Sequence, residues 1–190
     1  MHFNSNIPTL FTFFRILLIP VFVVVFYIPD AGNIIACIIF IIAAITDWLD
    51  GYLARKLMQT SKLGEFLDPV ADKLLVVVAL VMVVSEYHSI IISLPAAIII
   101  GREVAISALR EWMSAIGKSI QLKVIKVAKI KTCLQLIALA MLIAYNDKAN
   151  IYIITSAVIL LYISAVLTIW SMISYLKHAW PHLTLRPNSQ

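Results

Sequence analysis

The chain has 190 residues, of which 62% are hydrophobic and 13% are charged, and its mean hydropathy is +0.98. Soluble domains are typically about 45–50% apolar and about 25% charged, so this composition excludes an ordinary soluble protein and predicts one integral membrane domain over residues 1–190. In a soluble protein, a net charge of +5 would suggest binding to nucleic acid. The basic residues here lie at the ends of apolar segments, so membrane topology explains them. No nucleic-acid partner is therefore expected.

Six apolar segments are long enough to cross a bilayer, because a membrane helix needs about 20 apolar residues. They cover residues 9–28, 32–54, 68–86, 89–112, 126–145 and 151–176. Arg15 interrupts the first of these segments and Arg102 the fourth, whereas the sixth contains no charge. The sequence therefore predicts an all-α integral membrane protein with six transmembrane helices.

Basic residues concentrate on one side of this predicted domain. The short connections after the first, third and fifth spans contain a single basic residue, Lys148. The connections after the second and fourth spans, and the helix ends beside them, are rich in lysine and arginine. Because positively charged loops remain in the cytoplasm, this side and both chain termini are predicted to be cytoplasmic.

Four aspartates lie where the second span ends and the third begins. Asp47 and Asp50 are three residues apart, so they share one helix face. Asp68 and Asp72 are four residues apart and also share a face. Antiparallel neighbouring helices would bring the two pairs together, and four anions so close stay ionised only with cations between them. Oxygen-only ligands suit Mg²⁺ or Mn²⁺, and two such ions clamping a phosphate are a natural occupant.

Small residues beside the acidic pairs leave room for a bulky diphosphate. Gly51 and Ala54 flank the first pair, and Gly64 lies one turn before the second. Arg55 can donate a forked pair of hydrogen bonds to phosphate oxygens. Helix capping explains one aspartate but not four at these spacings, and an EF-hand is excluded because its ligands alternate along a loop. An ion transporter is an alternative, although transporter sites usually lie near the membrane midplane.

The same residues fit a known signature. It reads D-x-x-D-G-x-x-A-R, then eight residues, then G-x-x-x-D-x-x-x-D, and this chain matches it at every fixed position from Asp47 to Asp72. On these residues the chain resembles the CDP-alcohol phosphotransferase family. The stretches "NIPTLFTFFRILLIP", "TDWLDGYLAR", "FLDPVADK" and "GREVAISALREWM" extend the resemblance along nearly the whole chain. They favour the branch of the family that uses glycerol 3-phosphate as acceptor.

The resemblance implies a metal-dependent transferase. Glycerol 3-phosphate attacks the β-phosphorus of CDP-diacylglycerol, CMP leaves, and phosphatidylglycerophosphate remains in the membrane. The resemblance further implies a homodimer in the bacterial cytoplasmic (inner) membrane, with its active site on the cytoplasmic side. The alternatives are a different alcohol acceptor within the family, an intramembrane prenyltransferase, which also uses aspartate-rich motifs and Mg²⁺, and the ion transporter.

Roles for individual residues follow from the resemblance. The four aspartates are expected to hold two divalent metal ions, and Asp72 is the expected general base unless it serves only as a ligand. Arg15 is expected to contact the diphosphate or to brace the acidic cluster. The residues expected at the CDP-diacylglycerol site are Asn6, Thr9, Arg15, Gly51, Arg55, Ser61 and Gly64.

Because the acceptor carries a phosphate, a cationic pocket should face the aspartates. Arg102 and Arg110 are eight residues apart and so lie roughly on one helix face, and Lys129 and Lys131 begin the fifth span. These four residues are the predicted ligands of glycerol 3-phosphate. Glu103 is a candidate partner for nearby cations, but it is not expected to pair with the adjacent Arg102, which leaves the helix in another direction.

Overall fold

The structure is a computed structural model that describes the backbone of residues 7–29, 32–57, 62–115, 125–145 and 151–183. Within these ranges it describes all side chains except those of residues 7–9, 47, 48, 50–57, 62, 63, 65, 66, 68, 115, 125–129 and 178–183. The described backbone forms six helices and no strand, which confirms the all-α prediction for this part of the chain. The helices are α1 (Ile7–Phe26), α2 (Gly32–Leu57), α3 (Lys62–Tyr87), α4 (Ile90–Ala115), α5 (Ile125–Ala144) and α6 (Ile151–Leu183).

Helices α2 and α3 both extend into the connection that the sequence predicted between them. The sequence suggested a break between residues 54 and 68, but α2 continues to Leu57 and α3 already begins at Lys62. Lysine, arginine, leucine and glutamate are good helix formers, so the polar residues in this region do not end a helix. Consequently Arg55 lies inside α2, and Asp68 lies inside α3 rather than at its start.

The helices pack around a common apolar core. α3 contacts α1, α2, α4 and α5, whereas α6 packs on α4 and α5. The rings of Phe22 and Phe40, whose centroids are 6.2 Å apart, fill the contact between α1 and α2. Buried alanines on facing helices, including Ala79, Ala138 and Ala157, let the backbones approach closely, as is common where helices meet in membranes.

Large apolar side chains also cover the outside of the bundle, where Ile90 is 82% and Trp170 72% exposed. Two segments, Ile90–Ser114 of α4 and Ile151–Lys177 of α6, are long and apolar enough to cross a membrane. Only 33% and 28% of their apolar windows are buried. A core helix of a soluble protein is mostly buried, so the apolar faces of α4 and α6 favour contact with lipid.

A two-residue connection reverses the chain between α3 and α4. His88 has a positive φ of 45°, which ends α3 in the left-handed conformation typical of helix C-termini. Ser89 then caps α4, because its hydroxyl accepts a hydrogen bond from the amide of Ile91 at 3.3 Å. This tight link keeps α3 and α4 adjacent and antiparallel.

Substituting Gly32 by alanine is expected to destabilise the connection between α1 and α2. A Cβ atom there would lie 2.7 Å from the carbonyl oxygen of Val25, and a helix backbone cannot move aside as a flexible side chain would. Gly101 is the matched control, because a Cβ at that position meets no atom within 4 Å. We expect Gly32→Ala to lower the thermal unfolding midpoint in detergent by several degrees and Gly101→Ala to leave it unchanged or raise it. Equal midpoints for the two variants would contradict this account.

Candidate active site

The hairpin of α2 and α3 places the two pairs of aspartates at similar distances along the helices from the link that joins them. Four residues connect Leu57 to Lys62, and a link this short makes the two packed helices antiparallel. Asp47 lies ten residues before the end of α2, and Asp72 lies ten residues after the start of α3. Asp50 and Asp68 are likewise at nearly equal distances, seven and six residues, from the two helix ends. The contact between α2 and α3 is shown, and the meeting of the four carboxylates stays a prediction.

Side-chain positions are described for part of this acidic region. The carboxylate of Asp72 is exposed and takes part in side-chain interactions, whereas Gly64 is buried two turns earlier on the same helix. Several predicted site residues lie in helices with side chains outside the described set: Thr9, Asp47, Asp50, Gly51, Arg55, Asp68 and Lys129. Asn6 and Ser61 lie outside the described residues altogether.

The donor set of this region fits a hard divalent cation. Among the described side chains there is no group of three or more metal-binding residues, and three of the four predicted ligands are not in that set. The fit therefore rests on two grounds. The predicted donors are all carboxylates, and they lie at similar distances from the link along two packed helices. Mg²⁺ and Mn²⁺ prefer such oxygen ligands.

Arg15 lies on the inner face of α1 and is fully buried. α1 packs against α2 and α3, the two helices that carry the aspartates. A buried guanidinium requires anionic or hydrogen-bonding partners, and a long side chain at the membrane surface would instead extend towards water. Full burial therefore argues against a position of Arg15 at the membrane surface. It favours a role in bracing the helices that carry the aspartates over direct contact with a substrate.

A second polar cluster joins α4 to α5. One carboxylate oxygen of Glu103 accepts hydrogen bonds from Arg102 at 2.7 Å and from Lys131 at 2.9 Å. Arg102 is 8% and Lys131 2% exposed. Glu103 therefore does pair with the adjacent Arg102, contrary to the sequence-based expectation, because both side chains are long enough to curve towards each other from neighbouring positions.

α6 contributes neutral partners to the arginines of α4. Arg102 donates a hydrogen bond to the hydroxyl of Ser171 at 3.3 Å, and Arg110 donates one to the hydroxyl of Tyr175 at 3.3 Å. The guanidinium carbons of Arg102 and Arg110 also lie 5.9 and 5.6 Å from the centre of the Tyr175 ring. The shared contact confirms that the two arginines occupy one face of α4.

The basic cluster adjoins the acidic hairpin. Lys131 interacts electrostatically with Asp72 of α3 as well as with Glu103. Arg102, Arg110 and Lys131 outnumber the single carboxylate of Glu103, so this region keeps an excess of two formal positive charges. A carboxylate set that fits divalent metal ions, beside a surplus of cations, could hold two phosphorylated groups close together, one through the metal ions and one through arginine and lysine.

Comparison with known proteins identifies the family. A family model described as CDP-alcohol phosphatidyltransferase matches residues 5–170. The chain belongs to the CDP-alcohol phosphatidyltransferase family. It is 51% identical over 175 residues to a CDP-diacylglycerol–glycerol-3-phosphate 3-phosphatidyltransferase of Salmonella typhimurium (strain LT2), a match that covers 92% of this chain and 94% of the relative. It is 50% identical, over the same shares of both chains, to the protein of that name from Escherichia coli (strain K12).

Sequence reasoning missed three contributors to the site of this CDP-alcohol phosphatidyltransferase. They are the pairing of Glu103 with the adjacent Arg102 and the contacts of Ser171 and Tyr175 on α6, whereas the expected partnership of Glu103 with a nearby cation is confirmed by Lys131. A signal for the two contacts on α6 was present, because Ser164, Thr168, Ser171 and Tyr175 recur at helical spacing in a span without charges. Ser164, Thr168 and Ser171 are all fully buried, so this polar stripe faces the other helices rather than lipid.

Proposed function

We propose that this chain is a phosphatidylglycerophosphate synthase, which transfers the phosphatidyl group of CDP-diacylglycerol to glycerol 3-phosphate and releases CMP. The observation that carries the proposal is the adjacency of the aspartate-bearing hairpin α2–α3 and a basic cluster with surplus positive charge. The names of the relatives, at about half identity over 92% of the chain, support the choice of substrates.

The proposed setting is the cytoplasmic membrane of a bacterium. All six helices are proposed to cross it, with both termini and the active site on the cytoplasmic side. The exposed apolar side chains and the concentration of lysine and arginine at one end of the bundle support this topology. A homodimer is proposed from the family resemblance alone.

The donor substrate is proposed to bind at the α2–α3 hairpin. Asp47, Asp50, Asp68 and Asp72 would hold two ions of Mg²⁺ or Mn²⁺, which when bound neutralise the diphosphate and the charge that develops on CMP. Gly51 and Gly64 leave space for the diphosphate, and Arg55 donates hydrogen bonds to it. Asn6, Thr9 and Ser61 are proposed to contact the cytidine diphosphate group, while Arg15 braces the acidic helices from α1.

In the proposed reaction, the carboxylate of Asp72 takes the proton from the attacking hydroxyl of glycerol 3-phosphate. The hydroxyl oxygen forms a bond to the β-phosphorus, and the bond between that phosphorus and the bridging oxygen breaks, so that CMP leaves with the bonding electrons. The exposed position of Asp72 suits a base that must reach a water-soluble acceptor.

The acceptor phosphate is proposed to bind at the basic cluster. Arg110 is the exposed member and forms the direct contact, and Lys129, near the start of α5, is proposed to assist it. Arg102 and Lys131 are buried and share the carboxylate of Glu103, so these three groups add one net positive charge to the attraction for the anion. A phosphate monoester carries a charge of about −1.5 to −2 at pH 7, and the surplus of positive charge in the cluster attracts it.

The decisive experiment measures CMP release by purified protein supplied with Mg²⁺, CDP-diacylglycerol and an acceptor. We expect CMP with glycerol 3-phosphate and none with inositol phosphate or serine. Release of CMP only with another acceptor would overturn the substrate but keep the family reaction. An absence of CMP with every alcohol tested would overturn the transferase itself and would favour a prenyltransferase or a transporter.

A further inference from the structure

The ring of Tyr175 lies between the two arginines of α4. The two guanidinium carbons are both within about 6 Å of the ring centre, the range in which a cation is attracted to an aromatic face. The phenol oxygen of Tyr175 in addition accepts the hydrogen bond from Arg110 at 3.3 Å. One side chain of α6 thus constrains both the position and the rotation of the planar Arg110 group.

The partners that α6 supplies carry no charge. Ser171, one turn before Tyr175, donates its own proton to the carbonyl of Thr168 at 2.8 Å, so its lone pairs face the guanidinium of Arg102. A carboxylate at either position would neutralise an arginine and weaken its attraction for a phosphate. Neutral acceptors instead hold the arginines in place without adding a negative charge beside them.

Glu103 differs from the partners on α6 because its carboxylate is charged and compensates the cations that it contacts. Glu103 pairs with the two buried cations, Arg102 and Lys131, which would be costly to leave unpaired in the bundle. Arg110 is exposed, and its described partner is the tyrosine. Arg110 is therefore presented at the surface in an orientation that Tyr175 sets.

We propose that Tyr175 is a positioning residue that orients Arg110 for the phosphate of the acceptor. This inference rests on the proposed function. A guanidinium binds phosphate best as a planar fork, so a side chain that fixes its plane lowers the entropy lost on binding. Tyr175 then governs the affinity for the acceptor without contacting the reacting atoms.

The test compares steady-state constants for both substrates in four variants. Tyr175→Phe removes the hydrogen bond and keeps the ring, whereas Tyr175→Leu removes both. Arg110→Ala shows how far the KM for glycerol 3-phosphate rises when the proposed phosphate contact is lost completely. Tyr162→Phe is the matched control, because Tyr162 lies on the same helix at an apolar groove lined by Val158 and Val166.

We expect the KM for glycerol 3-phosphate to rise about threefold in Tyr175→Phe, about tenfold in Tyr175→Leu and about 30-fold in Arg110→Ala. The KM for CDP-diacylglycerol and kcat should change by less than about twofold, because Tyr175 and Arg110 are proposed to serve the acceptor and not the donor. Tyr162→Phe should match the wild type in all constants.

A purely structural role of Tyr175 predicts a different pattern, in which kcat and both KM values change together. That pattern, or an unchanged acceptor KM in Tyr175→Phe and Tyr175→Leu, would overturn the inference. If Tyr175→Leu does not fold, Tyr175→Phe decides alone because it preserves the packing of the ring. Failure of the wild type to release CMP with glycerol 3-phosphate would instead reject the proposed function, so the two failures are distinguishable.

Discussion

Replacing Asp68 by alanine is expected to abolish CMP release, with a loss of about 10³-fold or more, while the protein still inserts and elutes normally. The backbone places Asp68 of α3 at nearly the same distance from the α2–α3 link as Asp50 of α2, and loss of one of four carboxylates would leave the proposed site unable to hold two cations in a fixed geometry. Glu86→Ala is the control, because Glu86 is an exposed acidic residue near the other end of the same helix and should leave turnover unchanged.

The measurement is CMP release at several concentrations of Mg²⁺ and of Mn²⁺, before and after treatment with a chelator. Chelation should stop the wild type, and added Mg²⁺ or Mn²⁺ should restore it. Asp68→Asn, which keeps one oxygen ligand but loses the charge, should require more metal than the wild type. Substantial turnover by Asp68→Ala, or turnover that resists chelation, would contradict the metal-site proposal.

Replacing Glu103 by glutamine is expected to be the most destabilising change in the described basic cluster. The substitution leaves the charges of Arg102 and Lys131 close together and uncompensated, and breaking a buried ion pair costs about 3–5 kcal/mol. The Glu103 side chain retains 21% exposure, so we expect a loss near the lower end of that range. The thermal unfolding midpoint in detergent should fall clearly, together with the yield of folded protein.

Two comparisons make the Glu103 prediction specific. Glu111→Gln makes the same chemical change at an exposed position two turns further along α4 and should leave the midpoint unchanged. Adding Lys131→Met to Glu103→Gln removes one of the uncompensated charges, so the double variant should recover part of the lost stability. Additive losses in the double variant would show that Glu103 and Lys131 act independently and would contradict the bridge.

The sequence by itself determined the chemistry of the acidic half of the site. Spacings of three and four residues fix which aspartates share a helix face, because helical geometry is local. The structure adds that only four residues connect the two helices, which makes them antiparallel neighbours. The helix ends at Leu57 and Lys62 were not predictable, because the length of an apolar segment follows the thickness of the membrane and not the length of the helix.

The tertiary structure alone decided the partners that the basic residues contact. Arg102 and Ser171 are 69 residues apart, and Arg110 and Tyr175 are 65 apart, so no local spacing relates them. Whether a buried arginine faces a carboxylate, a hydroxyl or a substrate depends on which faces of α4, α5 and α6 meet. That choice is made by the packing of many apolar side chains, and the polar contacts follow from it.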